Sequence, residues 1–175
     1  TELDRSVIEV IDDPLIHLIR NSVDHGIEPP AVRVAAGKAE RGTITLTARH
    51  EESRIIITVE DDGRGIDVER VKASAAKKNL ISEDEAAKLS PEEAIDLIFL
   101  PGLSTADKVS DVSGRGVGMD IVRINIERLS GNVTVETWAG RGTRFQIALP
   151  LTLAIIQSLL VDVGRGTYAI PLAAV

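Results

Sequence analysis

The chain contains no cysteine. A disulfide framework, a thiolate zinc centre and a cysteine nucleophile are therefore excluded. The absence fits a reducing compartment, and a cytoplasmic location is the expectation. Aromatic residues make up only 2% of the chain, too few for the stacking platforms on which single-stranded nucleic acids are bound. Basic charge is also short. Lys plus Arg number 20 against 27 for Asp plus Glu, a net charge of −7, which disfavours non-specific nucleic-acid binding. No apolar run reaches the roughly 18 residues that a membrane-spanning helix needs. The start, "TELDRS", has neither the basic stretch nor the apolar core of a signal peptide. It also has no initiating Met, and the end, "YAIPLAAV", breaks off in mid-pattern. The expectation is a piece of a longer protein.

What is present is 175 residues at 43% hydrophobic composition. That suffices for one packed α/β domain with a fragment of a second. Residues 2–25 read as helix, interrupted or restarted at Pro14, with Asp12 and Asp13 as caps. "GTITLTARH" (42–50) and "RIIITVED" (54–61) read as a hairpin, and 67–79 as helix. "SPEEAIDLIF" (90–99) opens with a capping-box pattern, Ser90 followed by Glu93. Residues 100–118 have no periodicity, and a loop of that length in a compact domain is usually functional or disordered. "MDIVRINIERLS" (119–130) reads as helix stopped by Gly131. "NVTVETW" (132–138) and "TRFQIAL" (143–149) form a second hairpin. After Pro150 the texture becomes nearly continuous apolar, so a domain boundary is placed there, with 1–150 as one domain and 151–175 as the truncated start of another.

Three segments carry chemistry. On "PLIHLIRNSVDHGIE" (14–28), a helical wheel places Leu15, Ile16, Leu18, Ile19 and Val23 on one side. His17, Asn21, Asp24, His25 and Glu28 fall on the other, with His17, Asn21 and His25 in one line. A solvated face is the plain reading. A two-histidine zinc site is weaker, for want of a third ligand. "DDGRGID" (61–67) ends a strand and fits D-x-G-x-G. Its glycines let the backbone approach a ligand closely. The Asp61 carboxylate could accept a hydrogen bond from an exocyclic amine such as adenine's, where the oxygen of guanine would cost about 1–3 kcal/mol. An ordinary turn competes with that reading, and a calcium loop fails for lack of alternating ligands. "SGRGVGMDIV" sets Gly114, Gly116 and Gly118 just before a helix, where backbone N–H groups form a phosphate site. It follows a loop rather than a strand and no Walker lysine follows, so neither a dinucleotide fold nor a P-loop fits.

In order along the chain, "His17-x-x-x-Asn21", "DDGRGI", "FLPGLST", "GRGVG" and "GRGT" resemble the ATP-binding domain of the GHKL group, which includes histidine kinases, type II topoisomerases, Hsp90 and MutL proteins. "HLIRNSVDHGIE", "FLPGLST" and "SGRGVGMDIV" resemble in particular the CheA family of chemotaxis histidine kinases. "LPLTLAIIQSLLV" resembles the start of the CheW-like domain that follows in that family. The resemblance implies a two-layer α/β sandwich, a mixed sheet with helices on one face and a mobile ATP lid over 100–113, opened by the stretch around Phe99. It implies ATP and Mg²⁺ as cofactors, with Asn21 on phosphate and metal, Asp61 on adenine, and Gly63 and Gly65 shaping the adenine pocket. Ser113, Gly114, Arg115, Gly116, Val117 and Gly118 would hold the phosphates, and Thr143 would lie near the adenine end.

His17 stands where many members carry a water-activating glutamate, so the expected reaction is transfer to a histidine, with His17 orienting or deprotonating it. A neutral imidazole can take a proton at pH 7, its reference pKa being about 6.5. Asp24 replaces a lysine common in histidine kinases, which leaves Arg20 as a candidate cation for the γ-phosphate. Mg²⁺ prefers oxygen, so His17 and His25 would act through water or phosphate rather than on the metal. The acceptor histidine is expected on a separate domain phosphorylated in trans within a homodimer, this fragment alone being monomeric. The implied partners are that domain, the response regulators CheY and CheB through it, and the adaptor CheW with chemoreceptors through the C-terminal domain. An ATPase switch and an ATP-binding scaffold without kinase activity are the alternatives.

Overall fold

In a computed structural model, residues 5–103, 118–150, 158–164 and 166–171 are described. A long helix, α1 (Arg5–Asn21), opens the chain. It runs through Pro14 without a restart, so Asp12 and Asp13 are not caps. Proline forfeits one helical hydrogen bond there, but its ring is fully buried and adds to the packed face. A π-helical turn, Ser22–Gly26, follows α1, and then the short helix α2 (Pro30–Ala35). The strands β1 (Ile44–Glu51) and β2 (Arg54–Asp61) make the expected hairpin, closed by Glu52 and Ser53. Three helices come next: α3 (Val68–Lys77), α4 (Glu83–Lys88) and α5 (Pro91–Asp96), the last running into a 3₁₀ turn at Leu97–Phe99. The Ser90–Glu93 capping box forms as the sequence predicts. A second box, Ser82–Glu85, starts α4, a helix the sequence reading passed over. Helix α6 (Met119–Arg128) leads into β3 (Asn132–Trp138) and β4 (Gly142–Pro150). The left-handed residue that ends α6 is Ser130 (φ 54), and Gly131 follows it, its N–H bonded to the Ile126 carbonyl at 3.0 Å.

The four strands pair in the order β1-β2-β4-β3. The two-layer α/β sandwich stands, but the three pairings within this four-stranded sheet are antiparallel where a mixed sheet was expected. The strand period of two sends Ile55, Ile57 and Val59 of β2, and Phe145, Ile147 and Leu149 of β4, to one face. Ile11 and Leu18 of α1, and Val122 and Ile126 of α6, cover that face. A smaller cluster of Ala75, Leu97 and Leu103 packs α3 against the segment after α5. The strands β5 (Ser158–Val163) and β6 (Gly166–Pro171) form a separate two-stranded antiparallel sheet. Among the described residues, no helix is long and apolar enough to cross a membrane.

Candidate nucleotide site

Asp61 continues the inward-facing series of β2 after Val59, so the strand period delivers a carboxylate to the end of the core. It is 4% exposed. Helix α1 supplies the matching group. Its buried stripe runs through Ile11 and Leu18 and ends on Ser22, whose hydroxyl donates to Asp61 Oδ2 at 3.0 Å. The Gly63 N–H donates to Asp61 Oδ1 at 2.9 Å. Each of these hydrogen bonds uses one lone pair, so each oxygen keeps another for a ligand amine. The turn that follows is possible only with glycine. A Cβ on Gly63 would lie 2.2 Å from the Gly26 carbonyl oxygen. Gly65 adopts φ +77, and a Cβ there would lie 2.5 Å from the Trp138 carbonyl oxygen.

Thr143 is buried and sits opposite Asp61 in the β2–β4 register. Thr137 sits opposite Thr143 on β3. The three residues form a row across the inner face at one end of the sheet. The two threonine hydroxyls lie 3.4 Å apart, and Thr137 Oγ1 accepts the Ile66 N–H at 2.7 Å. Thr137 thus pins the end of the glycine turn to the sheet. Sequence reasoning missed Ser22 and Thr137. The available signal was their place on inward-facing positions, one helical and one strand, where a polar side chain needs a partner.

One residue before Ser22, at the last position of α1, the Asn21 Nδ2 donates to the Met119 sulfur at 3.2 Å. This brings the end of α1 to the start of α6. Gly118 is the N-cap residue of α6 and offers no side-chain cap, and among the described residues no side chain caps the first backbone N–H groups of the helix, groups of the kind that bind an anion. With sulfur on its amide N–H, Asn21 presents Oδ1, one oxygen of the type Mg²⁺ prefers. His17 lies one turn before Asn21 on the same helix and is half-buried. Burial, and then the positive charge of Arg20, lower its pKa from the ordinary 6.5, against the opposing charge of Asp120. The imidazole is therefore neutral at pH 7.

The helical line His17–Asn21–His25 does not extend past Asn21. The π turn carries an i→i+5 hydrogen bond, Ile27 N–H to the Ser22 carbonyl at 2.8 Å, and shifts the later residues off a 100° wheel. Arg20, Asp24 and His25 are exposed. Ile16 and Val23, placed on the apolar side by the wheel, are each 55% exposed. Glu28, placed on the polar face, is buried. Its carboxylate accepts Arg33 Nη1 at 3.1 Å and Lys38 Nζ at 2.8 Å. Burial opposes its ionisation, but the Lys38 hydrogen bond and the charges of Lys38 and Arg33 outweigh it, and its pKa lies below the usual carboxylate value.

Phe99 is buried, with the Arg123 guanidinium 3.9 Å above its ring. Ser113, Gly114, Arg115, Gly116 and Val117, with most of the expected lid, lie outside the described residues. Among the described residues no cluster of three or more His, Asp or Glu suits a metal ion, so the two-histidine zinc reading finds no support.

Comparison with known proteins agrees with this geometry. The family described as histidine kinase-, DNA gyrase B-, and HSP90-like ATPase matches residues 11–153. Over its full length the chain is 54% identical to the chemotaxis protein CheA of Treponema pallidum, of which it covers 21%. It is 53% identical to the sensor histidine kinase CheAY of Helicobacter pylori, covering 22% of it. It is 49% identical to the chemotaxis protein CheA of Bacillus subtilis, covering 26% of it. The chain thus spans about a fifth to a quarter of the length of these curated relatives. It belongs to the histidine kinase-, DNA gyrase B- and HSP90-like ATPase family, as the ATP-binding domain of the CheA branch.

Proposed function

We propose that this chain binds Mg-ATP and transfers the γ-phosphate to a histidine on a separate phosphoacceptor domain, as the catalytic domain of a chemotaxis histidine kinase. The observation that carries the reading is the pair of adjacent residues where α1 meets the π turn. Ser22, at its start, holds the Asp61 carboxylate, and Asn21, just before it, meets the N-terminus of α6. A base with an exocyclic amine fits the Ser22–Asp61 side, and phosphates with a divalent cation fit the Asn21 side. Asp61 would accept the adenine N6–H, with Thr143 beside it. Asn21 Oδ1 would face the cation, and Gly118 together with the glycines before it would face the phosphates. Mg²⁺ would supply charge neutralisation, which phosphoryl transfer needs more than covalent help from the protein.

In the transfer, the acceptor imidazole nitrogen forms a P–N bond as the bond from the γ-phosphorus to the β,γ-bridging oxygen breaks, and ADP leaves. The neutral His17 imidazole can orient the acceptor or take its ring proton. Arg20, Asp24 and His25 lie on the exposed rim of this end, where Arg20 is a candidate cation for the γ-phosphate.

The partners follow from the same reading: the acceptor domain in trans within a homodimer, the response regulators CheY and CheB through it, and the adaptor CheW with chemoreceptors through the C-terminal segment. The separate β5–β6 sheet supports a domain boundary near Pro150, with 151–175 beginning a CheW-like β domain. The test is to mix the chain with Mg²⁺ and γ-labelled ATP, with and without a separately expressed acceptor domain. Label on the acceptor, with little free phosphate in its absence, is the expected result. Rapid phosphate release regardless of acceptor would place the chain with the ATPases instead.

A further inference from the structure

The second carboxylate of "DDGRGID" does not face the proposed adenine position. Asp62 Oδ1 accepts the Thr43 N–H at 2.9 Å, and Asp62 Oδ2 accepts Arg33 Nη2 at 2.9 Å. Arg33 is 1% exposed and heads the fully buried side chains of the described residues by size. Its Nε donates to the Ala39 carbonyl at 2.8 Å, and its Nη1 to the Asp62 carbonyl at 3.1 Å. Lys38 Nζ donates to that same Asp62 carbonyl at 2.9 Å, to the Gly63 carbonyl at 2.7 Å and to Glu28 Oε1 at 2.8 Å. All three ammonium donors are engaged.

Two cations, the buried Arg33 and the half-buried Lys38, therefore converge on one carbonyl oxygen. That carbonyl belongs to the peptide unit joining Asp62 to Gly63. The N–H of the same unit is the one that donates to Asp61 Oδ1. The unit is clamped at both ends, cations on its oxygen and the Asp61 carboxylate on its hydrogen. Charge drawn to the oxygen polarises the unit and makes its N–H a stronger donor, since linked hydrogen bonds reinforce one another away from water.

Burying charge is a poor route to stability, because desolvation offsets the Coulombic gain and an apolar substitute often does as well. The arrangement answers better to precision. The chain from Glu28 through Arg33 and Lys38 to the 62–63 peptide ends on the carboxylate that faces the base. A second tie holds the turn to the same region, the Arg64 N–H donating to the Gly26 carbonyl at 2.9 Å.

We propose that Arg33 and Lys38 are positioning residues for base recognition: through the 62–63 peptide they fix and polarise the N–H that aims the Asp61 carboxylate, and so set the preference for adenine over 6-oxopurines. They touch no part of the nucleotide. The inference rests on the ATP-site reading above, and the experiment separates the two.

The affinities of Mg-ATP and Mg-inosine triphosphate, which has an oxygen in place of the amine, are measured for the wild-type chain and for Lys38→Met, Lys38→Arg and Arg33→Met. Wild type should favour ATP by about ten- to a hundredfold, the range for leaving a buried charged acceptor unpaired. Lys38→Met should reduce that ratio at least about fivefold, mainly by weakening ATP, and Lys38→Arg, which keeps the cation, should restore most of it. Arg33→Met leaves more buried partners unpaired, so Lys38 carries the test if that variant fails to fold. The ¹⁵N shift of the Gly63 amide supplies a second readout and should move in Lys38→Met before any nucleotide is added. A Lys38→Met chain that melts lower but keeps both the wild-type ratio and the Gly63 shift would overturn the proposal and leave the cluster a structural tie. A wild-type chain with no preference between the two nucleotides would instead overturn the base-reading role of Asp61, and the proposal with it.

Discussion

The two sides of the junction between α1 and the π turn, the Ser22–Asp61 side and the Asn21 side, are built in opposite ways. At the Asp61 end the polar groups that shape the site are bonded to the protein. The carboxylate holds Ser22 and Gly63, the turn is held by Arg33, Lys38 and Thr137, and glycine is required where backbones nearly touch. At the Asn21 end the described side chains are half-buried or exposed, and the partner of the Asn21 amide among the described residues is a sulfur, a weak acceptor. The contrast follows from what each end would meet. A base is recognised by a fixed pattern of donors and acceptors, and a donor misplaced by even part of an ångström loses discrimination. Phosphates and a hydrated cation bring their own strong charges and can organise the groups around them. One end is preorganised by the protein, and the other is left for its ligand to complete.

Substitutions can break that contrast at either end. The largest effect is expected for His17→Gln, which should leave ATP affinity within about twofold while slowing transfer to the acceptor by about 10²–10⁴, the usual range for a positioned acid–base group. Single-turnover transfer at saturating ATP checks it, and an unchanged rate would remove His17 from the chemistry. Asp61→Asn keeps the shape of the side chain but gives up its charge. It should weaken ATP by about ten- to a hundredfold and leave binding of free triphosphate nearly as it was, as titration calorimetry would show.

Gly63→Ala tests the tight end without touching the ligand. The added methyl meets the Gly26 carbonyl oxygen, so stability should fall by about 1–3 kcal/mol in denaturant melts. A smaller effect is expected from pH. His17 has a lowered pKa in the fold, so the unfolded chain binds the proton more readily. Its contribution to stability is intact above about pH 6.5 and is lost as pH falls through the lower folded value. Melts between pH 8 and 5 should show that slope, and His17→Gln should flatten it. The smallest effect is local. Ser82→Ala removes the cap of α4 and should cost about 1 kcal/mol with nucleotide affinity unchanged.

The same contrast governs what the sequence made legible. Both hairpins, the Ser90 cap and the helix before Gly131 follow from short-range patterns, and the glycine turn follows from spacing. The wheel failed at Ser22, because a 100° period assumes α geometry and the π turn inserts a residue. Glu28, Arg33 and Lys38 read as surface charge by residue type. Arg33 and Lys38, which hold Glu28, are drawn inward by the Asp62 carbonyl 29 and 24 positions away in the chain, which no local pattern reports. Thr137 and Ser22 were hidden for a similar reason: each is an unremarkable polar residue until the sheet and helix faces are laid together.

The central claim is that Asp61 reads the base while Asn21 faces the metal. A crystal structure of the chain with Mg²⁺ and a non-hydrolysable ATP analogue tests it most directly. The account predicts the adenine N6 within hydrogen-bond distance of Asp61, Asn21 Oδ1 on the Mg²⁺, and no imidazole nitrogen in its coordination shell. Adenine bound away from Asp61, or His17 or His25 directly on the metal, would contradict it.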